Sequence, residues 1–186
     1  FYYKYATGQL QLFANRPKNE SQFKTEHTQK KKPRLEKGPI IVAVDTSGSM
    51  SGRPMQIAYA VLLQLLRLAR KQKRKVFLMS FSVGAKFLDL SLPRNWMRLK
   101  SFLENRFSGG TDGEEMLNLS IKMLQSKTFG MADVLIISDF YFPLPKDSTW
   151  KKMLKEHGKG TCFYGLKIGS TDRLYDTILD KTWNIK

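Results

Sequence analysis

The string Asp45-Thr46-Ser47-Gly48-Ser49 sets one carboxylate and two hydroxyls at alternate positions of a glycine-containing turn. These are hard oxygen donors carrying little total charge. Such a set suits Mg²⁺ best, with Mn²⁺ or Ca²⁺ as alternatives, and suits Zn²⁺ poorly. Two further segments offer the same chemistry: Thr111 in Gly109-Gly110-Thr111-Asp112, and Asp139 in Ile137-Ser138-Asp139-Phe140. Each has a plainer reading when taken alone. Thr111 to Glu114 and Asp112 to Glu115 both have capping-box spacing, and an Asp that follows a strand is usually a turn residue. A cap made by Asp112 leaves Thr111 free to face a metal.

For three such segments to meet, each must leave the same edge of one sheet. Ile40-Ile41-Val42-Ala43-Val44 is an apolar, β-branched run entered from Gly38-Pro39. It predicts a buried strand that delivers Asp45 at its carboxyl end, where α/β folds place their ligands. Ile57, Ala58, Val61, Leu62, Leu65, Leu66, Leu68 and Ala69 then recur at helical spacing. Arg67, Arg70, Lys71, Lys73 and Arg74 gather toward that helix's C-terminal end, where cations complement its dipole. Lys75 to Ser82 reads as a second strand, and Lys86 to Leu90 as a short one paired to it through Val83-Gly84. Pro93 opens a helix holding Trp96, Leu99, Phe102 and Leu103 that ends at Gly109-Gly110. A further helix from Met116 to Leu124 leads to the strand Val134 to Ile137 and so to Asp139. Lys151 to His157 reads as a helix, Thr161 to Ile168 as a strand, and Arg173 to Leu179 as a last helix before a closing segment at Trp183. Alternation of this kind predicts an α/β fold: a doubly wound, mostly parallel sheet flanked by helices, with one short antiparallel edge strand.

Composition bounds the rest. The 186 residues carry a formal charge of +16, which predicts attraction to acidic proteins, nucleic acid or anionic lipid without choosing among them. Residues 1–38 hold nine Lys or Arg against three Glu. An aromatic stretch over 1–14 followed by a basic, polar one divides the chain into a linker or arm over 1–37 and a domain over 38–186. A first residue of Phe suggests a piece of a longer protein. The single Cys162 cannot form an internal disulfide, no apolar run is long enough to span a bilayer, and a cytoplasmic location is expected. No G-x-x-x-x-G-K-[ST] string is present, so nucleotide binding by a P-loop is excluded.

Taken together, Asp45-Thr46-Ser47-Gly48-Ser49, Thr111 and Asp139 resemble the metal-ion-dependent adhesion site (MIDAS) of von Willebrand factor A domains. That resemblance covers about residues 38–186 and implies a metal held by Asp45, Ser47, Ser49, Thr111 and Asp139. Within the family, Gly38-Pro39-Ile40 through Met50, Phe107-Ser108-Gly109-Gly110-Thr111-Asp112 and Ile137-Ser138-Asp139-Phe140 are similar to the C-terminal domain of ViaA-type proteins. Those bacterial proteins have a helical N-terminal part and work with a MoxR-family AAA+ ATPase. The resemblance therefore implies a non-catalytic module that docks an acidic residue of that ATPase or of a client.

Around the metal, Met50, Arg53, Asp112, Phe140, Tyr141 and Phe142 are the expected partner-binding rim. The aromatics would form an apolar collar, unless they fold back onto the domain's own helices. A second function class is nucleic-acid or anionic-membrane binding through Arg67, Arg70, Lys71, Lys73 and Arg74, with a peripheral position at the inner membrane. The plainer reading of that cluster is a solvated helix end, since no aromatics interleave it. A metal-dependent hydrolase would need a positioned base or second metal, which isolated His27 and His157 do not offer. Cys162 reads as a core residue.

Overall fold

The computed structural model describes residues 38–104, 110–171 and 173–186. The expected linker over 1–37 and the helix-ending Gly109 lie outside them. Six strands form one sheet in the order β3-β2-β1-β4-β5-β6. They are β1 (Ile40–Asp45), β2 (Val76–Phe81), β3 (Ala85–Asp89), β4 (Asp133–Ser138), β5 (Phe163–Ile168) and β6 (Lys181–Ile185). All neighbours run parallel except β3, which returns antiparallel to β2 at the sheet's edge. The expected fold class is the observed one.

Period-2 geometry divides β1 between two cores. Ile40, Val42 and Val44 pack with α1 (Arg53–Lys71) and with α2 (Leu99–Glu104), whereas Ile41 and Ala43 pack with α3 (Gly113–Leu124) and α4 (Asp147–Gly158). Every residue of β1 is buried, which explains why its sequence is apolar throughout instead of alternating. Each fully buried Ile or Val contributes about 1.5–3 kcal/mol of transfer free energy, as an upper estimate.

Three boundaries differ from expectation. Pro93–Arg98 is a 3₁₀ stretch leading into α2, and Leu174–Thr177 is a 3₁₀ turn in place of a last α-helix. Trp183 belongs to a sixth strand that pairs with β5. Leu174–Thr177 is held by tertiary contacts instead of a long helix: Tyr175 is 1% exposed, and its hydroxyl donates to the Pro143 carbonyl at 2.6 Å. Asp176 accepts from the buried Lys167 and, at 2.5 Å, from Thr182 Oγ1. Among the described residues no helix is long and apolar enough to cross a membrane.

The strand order reverses beside β1. The chain leaves β1 for β2 on one side, while β4, on the other side, continues to β5 and β6. The crevice at the carboxyl ends of β1 and β4 is therefore the topological switch point, the place where open α/β sheets bind ligands.

Candidate metal centre

Asp45 is the last residue of β1 and is fully buried. Its Oδ1 accepts from the Ser47 backbone N–H at 2.8 Å, which closes the turn, and its Oδ2 accepts from Ser138 Oγ at 2.6 Å. Thr46 is tied sideways to β2, its N–H and its hydroxyl both donating to the Phe81 carbonyl at 2.9 and 3.1 Å. The turn then exposes Gly48 and Ser49 and re-enters α1 through Gly52. At φ +73 and ψ −124, Gly52 adopts a conformation that side chains other than hydrogen disfavour.

The second segment is pinned against the first by Ser82, the residue after β2. Ser82 Oγ donates to the Gly110 carbonyl at 2.7 Å, and the Ser82 carbonyl accepts from Asp112 N–H at 2.8 Å. Thr111 is thereby clamped on both flanks to the end of the strand that pairs with β1. Asp112 caps α3, its Oδ1 accepting from Glu115 N–H at 2.8 Å, and Thr111 is left out of that cap. Glu114 turns away toward α4, accepting from Thr149 Oγ1 at 2.5 Å and Lys146 N–H at 2.9 Å. Asp139 opens the third segment directly after β4 and accepts from Tyr141 N–H at 3.1 Å.

The donor chemistry fits a small divalent cation. Ser47 Oγ and Ser49 Oγ lie 3.1 Å apart. The two hydroxyls share a hydrogen bond at that distance, and neighbouring ligands of an octahedral cation with bonds of about 2.1 Å lie similarly close, about 3.0 Å apart. Both Asp45 oxygens already accept hydrogen bonds, so that carboxylate orients the turn as well as supplying charge. Burial pushes the Asp45 carboxyl above its ordinary range, the hydrogen bonds from Ser138 and Ser47 pull it back, and the Asp139 charge adds to the rise. A cation beside it acts the other way, favouring the carboxylate. Among the described residues no group of three or more His, Cys, Asp or Glu side chains gathers as a metal cage. The hydroxyls give this centre its character.

The expected rim needs correction. Met50, Phe140 and Phe142 are buried, at 0%, 2% and 7% exposure, and pack in the domain's own core. Phe140 takes a left-handed conformation, φ 58, that sends its ring into the core against Phe142 and Tyr175, with centroids 5.7 and 5.1 Å away. The same turn leaves Tyr141 91% exposed beside Asp139. Arg53 and Asp112 are also exposed. The expected basic patch is corrected at Arg74, which is buried and pairs with Asp133 at 2.5 Å while donating to the Gly38 and Pro39 carbonyls. Arg67, Arg70, Lys71 and Lys73 remain exposed. They lie in the last turns of the 19-residue α1 and just past its end, about 20 Å or more along the helix axis from the end that follows the Asp45 turn.

Two residues of the centre, Ser82 and Ser138, escape a reading of the sequence. Their signal is a polar residue closing an otherwise apolar strand, but what each hydroxyl bonds is set by tertiary approach.

A sequence model of the von Willebrand factor type A domain matches residues 40–141. Regulatory protein ViaA of Edwardsiella ictaluri (strain 93-146) is 36% identical over 133 residues, covering 71% of this chain and 28% of that protein. The chain thus spans less than a third of the length of this curated relative. Among solved structures, BatB of Bacteroides thetaiotaomicron aligns with a TM-score of 0.55 at 16% identity, over 80% of this chain and 90% of that one. Proximal thread matrix protein 1 of the mussel byssus, solved with zinc in its MIDAS motif, aligns with a TM-score of 0.58 at 13% identity, over 81% and 44%. At these identities the solved structures speak for the fold alone. The sequence match extends from β1 through Asp139 and takes in all three donor segments: this chain belongs to the von Willebrand factor type A domain family.

Proposed function

We propose that this chain is a non-enzymatic, metal-dependent interaction module that docks an acidic residue of a partner protein. The observation that carries the reading is the meeting of three donor segments at the switch point, with hydroxyls outnumbering carboxylates. Ser47, Ser49 and Thr111 would hold Mg²⁺ or Mn²⁺ as neutral donors, with Asp45 and Asp139 supplying the charge. A cation so held keeps much of its electrophilicity, which a carboxylate from another protein satisfies. The chain's own part is to fix the donors. Asp45 Oδ1 shapes the first turn, Ser82 clamps the Thr111 segment, and the Phe140 turn aims Asp139. Arg53, Asp112 and Tyr141 border the opening.

The partner we propose is a MoxR-family AAA+ ATPase or a client presented to it. Support comes from the ViaA likeness and from the regulatory role in that protein's name. Nucleotide hydrolysis would belong to the ATPase, and this chain would act as its adaptor. The test is the affinity of this chain for the MoxR-family ATPase of the same organism, comparing wild type with Asp45→Ala at two salt concentrations. Binding lost in a folded Asp45→Ala variant supports metal-mediated docking. Binding that survives the substitution and collapses with salt transfers the contact to Arg67, Arg70, Lys71 and Lys73, and contradicts the proposal.

A further inference from the structure

We infer that Ser138 is a positioning residue of the metal centre, the hydroxyl that holds the Asp45 carboxylate and the Asp139 turn in register for a divalent cation. The inference rests on the metal reading above. Ser138 closes β4 and is fully buried. Its hydroxyl donates to Asp45 Oδ2 at 2.6 Å and accepts from Phe140 N–H at 2.9 Å. The first bond is short and charge-assisted, and it joins residues 93 apart in the chain. The second pins the one residue of the Asp139 turn that adopts a left-handed conformation without being glycine.

One side chain therefore governs two donor segments. Asp45 Oδ1 is committed to its own turn through Ser47 N–H, so Ser138 is what fixes the carboxylate's rotation relative to β4. Phe140 N–H, held by the same oxygen, sets the direction in which the chain leaves Asp139, whose Oδ1 is in turn tied to Tyr141 N–H. Without the hydroxyl, Asp45 Oδ2 loses its partner from β4 and Phe140 N–H loses its acceptor, both in surroundings that exclude water. The donors would then have to be ordered by the cation itself. Loss of such outer partners typically weakens metal binding about 10- to 100-fold.

A buried hydroxyl elsewhere separates this role from a merely structural one. Ser120 in α3 is also fully buried, but its Oγ donates to Met116 O within its own helix at 2.9 Å. The experiment titrates Mg²⁺ and Mn²⁺ by calorimetry into wild type, Ser138→Ala, Ser138→Thr, Ser120→Ala and Asp45→Ala, with urea denaturation in EDTA run on each. Ser138→Ala is expected to bind at least about tenfold more weakly. Ser138→Thr, which keeps the hydroxyl, recovers most of that loss, and Ser120→Ala binds as wild type. Wild-type affinity in Ser138→Ala, or a Ser138→Thr variant as weak as Ser138→Ala, overturns the inference. If Ser138→Ala does not fold, Ser138→Cys replaces it under the same criteria, since it keeps the branching of the side chain, at a somewhat larger volume, and exchanges a strong donor for a weak one. Loss of binding in Asp45→Ala with none in Ser138→Ala refutes the positioning role and leaves the metal reading standing. Wild-type affinity in both refutes the two together.

Discussion

Gly113→Ala adds one methyl group where the second and third donor segments touch. Gly113 is the first residue of α3, directly after Asp112. A Cβ there would lie 2.2 and 2.4 Å from two ring carbons of Phe142, whereas carbon atoms in contact need about 3.5 Å. The ring would have to move by more than an ångström. It has little room, because it is 7% exposed and packs against Phe81, Phe140 and Tyr175, with centroids 6.2, 5.7 and 5.2 Å away. Overpacking of this kind costs about 1–3 kcal/mol, and the better helix propensity of Ala offsets at most about 1 kcal/mol. With a urea m-value of about 2 kcal/mol/M, a net loss of about 1–2 kcal/mol lowers the denaturation midpoint by about 0.5–1 M. Because α3 follows Thr111 and Phe142 follows Asp139, Mg²⁺ affinity should fall as well. Phe142→Leu in the same background should restore part of both losses, giving a non-additive cycle. A Gly113→Ala variant with wild-type midpoint and wild-type metal affinity would refute the claim that these two segments are in hard contact.

Arg74→Met leaves the Asp133 carboxylate buried without its guanidinium and should cost about 3–5 kcal/mol in urea denaturation. Its Mg²⁺ affinity should stay unchanged, because Arg74 lies at the opposite end of the sheet from the donors. Asp176 is pulled in two directions: burial raises its carboxyl, but hydrogen bonds from Lys167 and Thr182 and the Lys167 and Arg173 charges hold it below its ordinary range. A carboxyl depressed in the folded state contributes stability above its unfolded value, and that stability fades as pH falls through the folded value. Asp176→Asn should therefore be destabilising at pH 7, with the deficit shrinking as pH is lowered through the carboxylate range. A deficit that does not change with pH would contradict an ionised Asp176 paired to Lys167.

What could be read from the chain follows from how local each signal is. The run Ile40 to Val44 is apolar at every position because both faces of β1 are covered, and its end at Asp45 could be read without a structure. The Val76–Phe81 strand and its antiparallel return over Ala85–Asp89 were legible from a short turn between two β-rich runs. Illegible features depend on distant partners. Arg74 looks like one more cation in a basic stretch until Asp133, 59 residues away, meets it. Phe140, Tyr141 and Phe142 look alike in sequence, and only the left-handed turn at Phe140 decides that two rings point inward and one outward. Strand β6 carries little signal of its own, because Lys181-Thr182-Trp183-Asn184-Ile185 is a half-exposed edge with a mixed composition. Its place depends on β5 already being there.

Whether three loops form one metal centre is measured most directly by a calorimetric titration of Mg²⁺ and Mn²⁺ into this chain and its Asp45→Ala variant, with circular dichroism to verify the fold. One cation per chain is expected, with binding weakened at least about tenfold in a folded Asp45→Ala protein. Equal affinity in the two proteins, or no cation bound by the wild type, would contradict it.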